Sequence, residues 1–253
     1  MALNLYDYHT DPKQLLYYDR MELIEFTKHR DIMCFRNNDG NIVVPGNLDL
    51  AHTGNIKLPD NLEVGGYLTL EGTLITELPT GLKVGGNLYL NYSKITQLPD
   101  NLEVGEDLYL QGAKITQLPD DLKVGGGLNL GYTQITQLPK GLKVGGFLDL
   151  GETPITQLPD GLEVGGDLYL RNTPITQLPD GLKVDSDLRL QGTPITKLPD
   201  GLKVGGSLIL SRTKITELPK GLKVLGDLYL RETPITQLPN DLEVGGEIIG
   251  FKG

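Results

Sequence analysis

The chain has 253 residues, with 33 Asp and Glu against 23 Lys and Arg, for a formal charge of −10 at pH 7. This acidic balance argues against a cationic groove for nucleic acid, which needs clustered Lys and Arg to release counterions from phosphates. A single cysteine, Cys34, excludes an internal disulfide and points to a reducing, cytoplasmic setting; no apolar run is long enough to span a bilayer, and residues 1–13 carry none of the kind a secretory leader needs.

The first 45 residues differ in composition from the rest. Asp11-Pro12 offers an N-cap followed by proline at the first helical position, and Asp19 with Glu22 three residues on forms a second helix start. Leu15, Leu16, Leu23, Ile24 and Phe26 supply an apolar stripe, which predicts one or two short helices up to about His29. An extended stretch over residues 32–35 comes next, and the turn Asn37-Asn38-Asp39-Gly40 leads into Ile42-Val43-Val44. Residues 1–45 are therefore expected to be a helical and hairpin cap over the first coil of a repeat array. Tyr6, Tyr8, Tyr17 and Tyr18 give that cap a second use, contact with a partner.

Residues 46–253 are expected to be one solenoid, because from residue 51 onward one pattern recurs every 20 residues. Within each copy a segment such as Asp167-Leu168-Tyr169-Leu170-Arg171 alternates with the period of a strand buried on one face. Stacking these segments in parallel predicts about eleven strands, from Leu48 to Ile248, in a sheet roughly 50 Å long. A glycine pair such as Gly165-Gly166 enters each strand, and the sharp bend there predicts at least one positive φ. These glycines are structural: a phosphate-binding loop would need a helix after it, and a strand stands there instead.

After the strand comes a column of hydroxyls, Thr53, Thr73, Ser93, Thr133, Thr153, Thr173, Thr193, Thr213 and Thr233, interrupted by Ala113. They are expected to satisfy buried backbone groups of the turn, coil after coil. Ile175 and Leu178 then turn inward, and Pro179 in each copy favours an extended back wall over a helix. Leu182 and Val184 close the coil.

Val164-x-x-x-Leu168-x-Leu170-x-x-Thr173-x-Ile175 resembles the leucine-rich repeat pattern, with Val for the first Leu and Thr where that family usually has Asn or Cys. The short period and the Leu-Pro of each copy, as in Leu98-Pro99, Leu118-Pro119 and Leu138-Pro139, are similar to the subclass found in bacterial effectors and phage proteins. The resemblance covers about four fifths of the chain. It implies a mainly β, right-handed solenoid with a parallel sheet on its concave face, and a protein-binding role, such as sequestering a host defence protein. Effector relatives that ligate ubiquitin carry a separate domain with a catalytic cysteine, so the resemblance does not imply that activity here.

Back-wall positions hardly vary, whereas the strand's outward positions vary far more, which points to the sheet as the recognition face. Tyr67, Tyr89, Tyr109, Asp149, Tyr169, Arg171, Arg189, Tyr229 and Arg231 are the candidate partner-binding residues, Tyr and Arg being the types that concentrate interface energy. The competing reading makes the tyrosines stacked strand formers and Arg171, Arg189, Arg212 and Arg231 a solvated ladder paired with Asp167, Asp187 and Asp227. At the other terminus Ile248, Ile249 and Phe251 are expected either to fold over the last coil or to pair with a second chain, giving a homodimer or assembly through an exposed edge.

Catalysis is not expected. His9, His29 and His52 show no metal-ligand spacing, and Cys34 sits in an apolar run with nothing nearby to activate it. Asp149 and Asp167 are the nearest thing to a glycosidase-like carboxylate pair, facing each other from adjacent rungs, but an open sheet does not exclude water. The reading is thus a non-enzymatic binding scaffold without cofactor or metal, taking a protein partner and neither nucleic acid nor membrane. Self-assembly through the C-terminal edge is the alternative, and an acidic mimic of nucleic acid a third.

Overall fold

A computed structural model describes residues 23–252. The two helix starts at Asp11 and Asp19 and the four tyrosines at positions 6, 8, 17 and 18 lie outside the described residues. The first described element is the helix Leu23–His29, which buries Leu23, Phe26 and Thr27. A hairpin then pairs Phe35–Arg36 antiparallel with Ile42–Val44. Asn37 Oδ1 accepts the amides of Asp39 and Asn41, and Gly40 takes a φ of 83° to close the turn. The extended element therefore begins at Phe35 rather than Ile32, since the pairing to Ile42–Val44 reaches no further back.

Beyond the hairpin the chain is a mainly β solenoid of about ten turns with a 20-residue period. It is built from two parallel sheets rather than one. Eleven strands, from Leu48–Asp49 to Ile248–Ile249, form the first sheet, with Leu stacked on Leu at each rung until Ile248 closes the row on Leu228. The second sheet, which the periodicity alone does not indicate, runs through the Glu-Val or Lys-Val dipeptides from Glu63–Val64 to Glu243–Val244 and joins the hairpin at its start. Each coil thus makes two short strands separated by the glycine pair, and both ladders continue through the bend: Gly85 donates to Val64 O at 2.7 Å and Gly86 to Gly66 O at 3.0 Å.

The glycine pairs do not take positive φ. They are there because coils approach closely: a Cβ at Gly85, Gly125, Gly145 or Gly165 would fall inside contact distance of the carbonyl oxygen one coil before. The left-handed conformation appears instead at two other places in the coil. One lies just after the strand, where Gly72, Gly112 and Gly192 alternate with His52, Tyr92, Tyr132, Glu152, Asn172, Arg212 and Glu232; the other precedes Leu82, Leu102 or Leu182, at Gly81, Asn101 and Gly181.

The interior repeats as faithfully as the sequence. Leu182, Val184, Leu188, Leu190, Ile195 and Leu198 are the buried apolar set of one coil, and their counterparts fill the others. Thr53, Thr73, Thr133, Thr153, Thr173, Thr193, Thr213 and Thr233 each donate Oγ1–H to the carbonyl of the Leu three residues earlier, at 2.6 to 2.8 Å. The hydroxyl column is therefore a structural ladder. Ser93, the shortest of the row, leaves its Oγ buried without a partner.

Candidate functional site

On the outward face of the eleven-stranded sheet the rungs differ from one another, and the differences fall into three stretches. In the N-terminal stretch Tyr67 meets Tyr89 edge-on at 6.1 Å, Tyr89 stacks flat on Tyr109 at 5.0 Å and 8°, and Tyr109 touches Phe147 at 6.1 Å. That last contact skips a rung. It is possible because Gly127 stands between, with the Phe147 ring lying where its Cβ would be. Four aromatic rings thus form one continuous ladder: register aligns Tyr89 with Tyr109, Tyr67 reaches Tyr89 from the column before it, and Phe147 reaches Tyr109 through the space of the missing side chain.

The middle stretch is a saddle of small residues, Gly127, Gly131 and Gly151, flanked by Asn129 and Asp149. Asn129 Oδ1 accepts the Gly131 amide at 3.0 Å and Asp149 Oδ1 the Gly151 amide at 2.8 Å, so both side chains are held by their own strand. The stem of Arg171 lies against Gly151, and its guanidinium sits 5.9 Å from the centre of the Tyr132 ring. Arg171 makes no ion pair with a described residue: its cation is held by an aromatic face and stays available.

In the C-terminal stretch the side chains are tied to acids. Tyr169 donates to Asp167 at 2.6 Å, Arg189 to Asp187 at 3.0 Å and Tyr229 to Asp227 at 3.2 Å; Tyr109 and Asp107 make the same pair at 2.8 Å. The second oxygen of each acid reaches the next rung, Asp167 accepting the Asp187 amide, Asp187 the Ser207 amide and Asp227 the Glu247 amide. These acids are rung connectors as well as surface charges. Arg189 also lies 5.0 Å from the centre of the Tyr169 ring. Its Nε and the neighbouring Gln191 Oε1 are enclosed without a hydrogen-bond partner, a cost of about 1–3 kcal/mol per group that the repeated interior mostly avoids.

The electrostatics reflect this wiring. Partial burial, then the hydrogen bond to Asp107, pushes the Tyr109 hydroxyl up to about 12; burial and Asp167 do the same for Tyr169, also to about 12. Tyr67 is raised by burial and by Asp49, and Tyr229 by its bond to Asp227. Burial works against ionising Asp167, but the bonds it accepts from Ser186, Tyr169 and the Asp187 amide, with Arg189 beside it, hold its carboxyl below the usual range. All these tyrosines keep their hydroxyl proton at neutral pH.

Several sequence expectations change. Asp149 and Asp167 do not face each other: Asp149 is in register with Tyr169, and Asp167 occupies the column before it, so no carboxylate pair forms. Of the four arginines only Arg189 pairs with an Asp of the ladder; Arg212 pairs with Glu232 at 3.2 Å, and Arg231 is exposed. Ile248 and Ile249 extend the sheet onto Leu228 and Tyr229, and Phe251 packs partly against the core. Cys34 is half-buried with its Sγ 3.1 Å from Thr27 Oγ1. Two further tyrosines that the sequence places beside these strands, outside the candidate set, are Tyr92 and Tyr132. They are well exposed, Tyr92 at 69%, and held in the left-handed conformation that large side chains rarely adopt.

Among the described residues no three His, Cys, Asp or Glu side chains converge as a metal site requires, and no helix is long and apolar enough to cross a membrane. No model of a known protein family matches the sequence, and no curated protein is similar to it.

Proposed function

We propose that the chain is a non-enzymatic binding scaffold of the leucine-rich repeat kind, which grips a partner protein on the face of its eleven-stranded sheet, concave in that family. The observation that carries this reading is the contrast within each coil: the interior is copied from turn to turn, while the outward strand positions vary far more. Aromatic rings at Tyr67, Tyr89 and Tyr109 offer apolar area with few rotamers to lose, and Arg171 offers a cation that no carboxylate neutralises. Asp149 between them gives the partner's basic groups a place to meet. Tyr169, Arg189, Tyr229 and Arg231 continue the surface toward the C-terminus. By the resemblance in its repeats the partner is a host defence protein, and the scaffold, cytoplasmic in its cell, acts by sequestering it as phage and bacterial effectors do.

Affinity capture with the purified chain, with mass spectrometry of what is retained, names the partner. Replacing Tyr89, Tyr109, Tyr169 or Arg171 with Ala is then expected to weaken binding by about 1–2 kcal/mol for each hot residue, whereas Gln117→Ala and Gln157→Ala on the back wall leave it unchanged. If the back-wall variants abolish capture and the tyrosines do not matter, the reading fails.

A second reading has its own observation. Among the described residues Glu243–Val244 and Ile248–Ile249 have neighbours on one side only, and Ile248 is 39% exposed. An unpaired edge of this kind accepts another strand, so the chain assembles end to end through Ile248, Ile249 and Phe251. Sedimentation at micromolar concentration tests it: a monomer mass unaffected by Ile248→Lys removes it. An acidic mimic of nucleic acid is not favoured, because Asp167, Asp187 and Asp227 spend one oxygen on the next rung and the other on a Tyr or Arg.

A further inference from the structure

The second sheet carries one break in its own monotony, on a face that partner binding by the eleven-stranded sheet does not use. Its outward column runs Glu63, Lys83, Glu103, Lys123, Lys143, Glu163, Lys183, Lys203, Lys223 and Glu243, one residue per rung. Lysines elsewhere in the column have an acid on at least one adjoining rung; Lys123 pairs with Glu103 at 2.8 Å and Lys143 with Glu163 at 3.6 Å. Lys203 alone has lysine on both sides. Its neighbours lean away from it, Lys183 toward Glu163 at 3.9 Å and Lys223 toward Glu243 at 2.8 Å, and Lys203 has no ion pair with a described residue. Like charges on adjoining rungs destabilise a sheet, so this triplet is a cost to the fold.

A second departure stands beside it. The glycine column that lets coils approach is broken twice within the solenoid, at Asp185 and at Leu225, the positions on either side of Gly205. In the other coils a Cβ here would fall inside contact distance of the preceding carbonyl oxygen, so both residues require the backbone to give. Leu225 gains no burial in return: it is 71% exposed. Together Lys183, Lys203, Lys223, Asp185, Gly205 and Leu225 line a groove of about 660 Å³ whose floor is the edge of the buried Val184 and Val204.

We propose that this groove docks an acidic segment of a partner protein, with a carboxylate on Lys203 and an apolar side chain against Leu225 over Gly205. A cation with no ion pair to a described residue, next to an exposed Leu at a position that is glycine in most other coils, is the complement of an acid beside an apolar residue. The apolar half favours a polypeptide over a nucleic acid, which would use the lysines alone. Recognition is by side chains, because the sheet is continuous there and offers no free edge.

The test uses the full chain and a fluorescently labelled synthetic peptide alternating Glu and Leu, with anisotropy as the readout. Saturable binding is expected, weakened about tenfold by Lys203→Glu and about tenfold by Leu225→Gly, and unchanged by Tyr109→Ala. Leu225→Gly restores the residue the other coils use, so it folds, and its melting temperature should equal or exceed that of the parent; Lys203→Gln, which removes charge without adding an acid, guards against misfolding of the Glu variant. The proposal is overturned if the peptide does not bind saturably, if a peptide with Gln in place of Glu binds equally well, or if single-stranded oligothymidylate displaces it as effectively as unlabelled peptide. It is also overturned if Leu225→Gly abolishes a dimer seen by sedimentation, since the occupant is then a second copy. Loss of binding in Tyr109→Ala but not in Lys203→Glu would assign the peptide to the other sheet, leaving that reading standing and this one not.

Discussion

The two ends of the eleven-stranded sheet use the same rung to different effect. Toward the N-terminus Tyr67, Tyr89, Tyr109 and Phe147 hold one another, ring against ring. Toward the C-terminus Tyr169, Arg189 and Tyr229 are each fastened to an acid two residues before them, and those acids bind the next rung. Beneath both stretches the same Leu pairs are fully buried. The comparison teaches that interior and face are separable: a copied core sets the spacing of about 4.8 Å between rungs, and that spacing suits either an aromatic stack or a chain of carboxylate bridges.

Five sets of changes would break or sharpen that contrast. The largest effect is expected where the halves are alike. Leu108→Ala and Leu168→Ala, one under each stretch, should both cost about 2–5 kcal/mol in denaturant unfolding; a large difference between them would mean that the cores are not equivalent after all. Tyr109→Ala removes two ring contacts at once and should cost about 0.5–1.5 kcal/mol beyond its lost area, more than Tyr229→Ala, which has no ring partner among the described residues.

Hydroxyl chemistry comes next. Thr173→Ala should cost about 1 kcal/mol and Ala113→Thr should return a similar amount, because Ala113 already places its amide 2.9 Å from Leu110 O where its counterparts in other coils add a hydroxyl. Alkaline titration then tests a contribution the two stretches share. The folded hydroxyls of Tyr109 and Tyr169 lie near 12 against an ordinary value of 10.0, so their contribution is complete below pH 10 and is lost as pH rises toward 12. Tyr109→Phe and Tyr169→Phe should flatten that loss, measured as unfolding free energy against pH. The smallest effect is expected for the half-exposed Arg189–Asp187 pair. Arg189→Gln should cost about 0.2–1 kcal/mol, less at high salt.

How much of this is legible in the sequence depends on range. The eleven strands, their Leu-in alternation, the Thr ladder and the Tyr89–Tyr109 stack derive from a 20-residue period, because each rung touches only its neighbours and the neighbour is always 20 residues away. Strand length does not separate the two sheets, since both are built from two-residue strands; the Lys-Val or Glu-Val pair runs straight into the glycine bend and the next strand, so in the sequence it reads as the closing turn of the coil. The glycine pairs read as positive-φ turns because sequence shows that glycine is needed, and not whether backbone freedom or the absence of a Cβ is the reason.

Composition and period alone determined that the chain stacks coil on coil, which apolar residues face in, and that the strand's outward positions are the variable ones. Tertiary structure decided what those positions do. Whether Arg171 meets an acid or a ring, whether Asp167 serves a partner or the next rung, and whether Lys203 has a counter-ion depend on side chains reaching across coils past glycines at positions 127, 151 and 205. The repeat fixes rung spacing through backbone hydrogen bonds, while side-chain pairing is set by lateral reach and by local vacancies, which no period encodes.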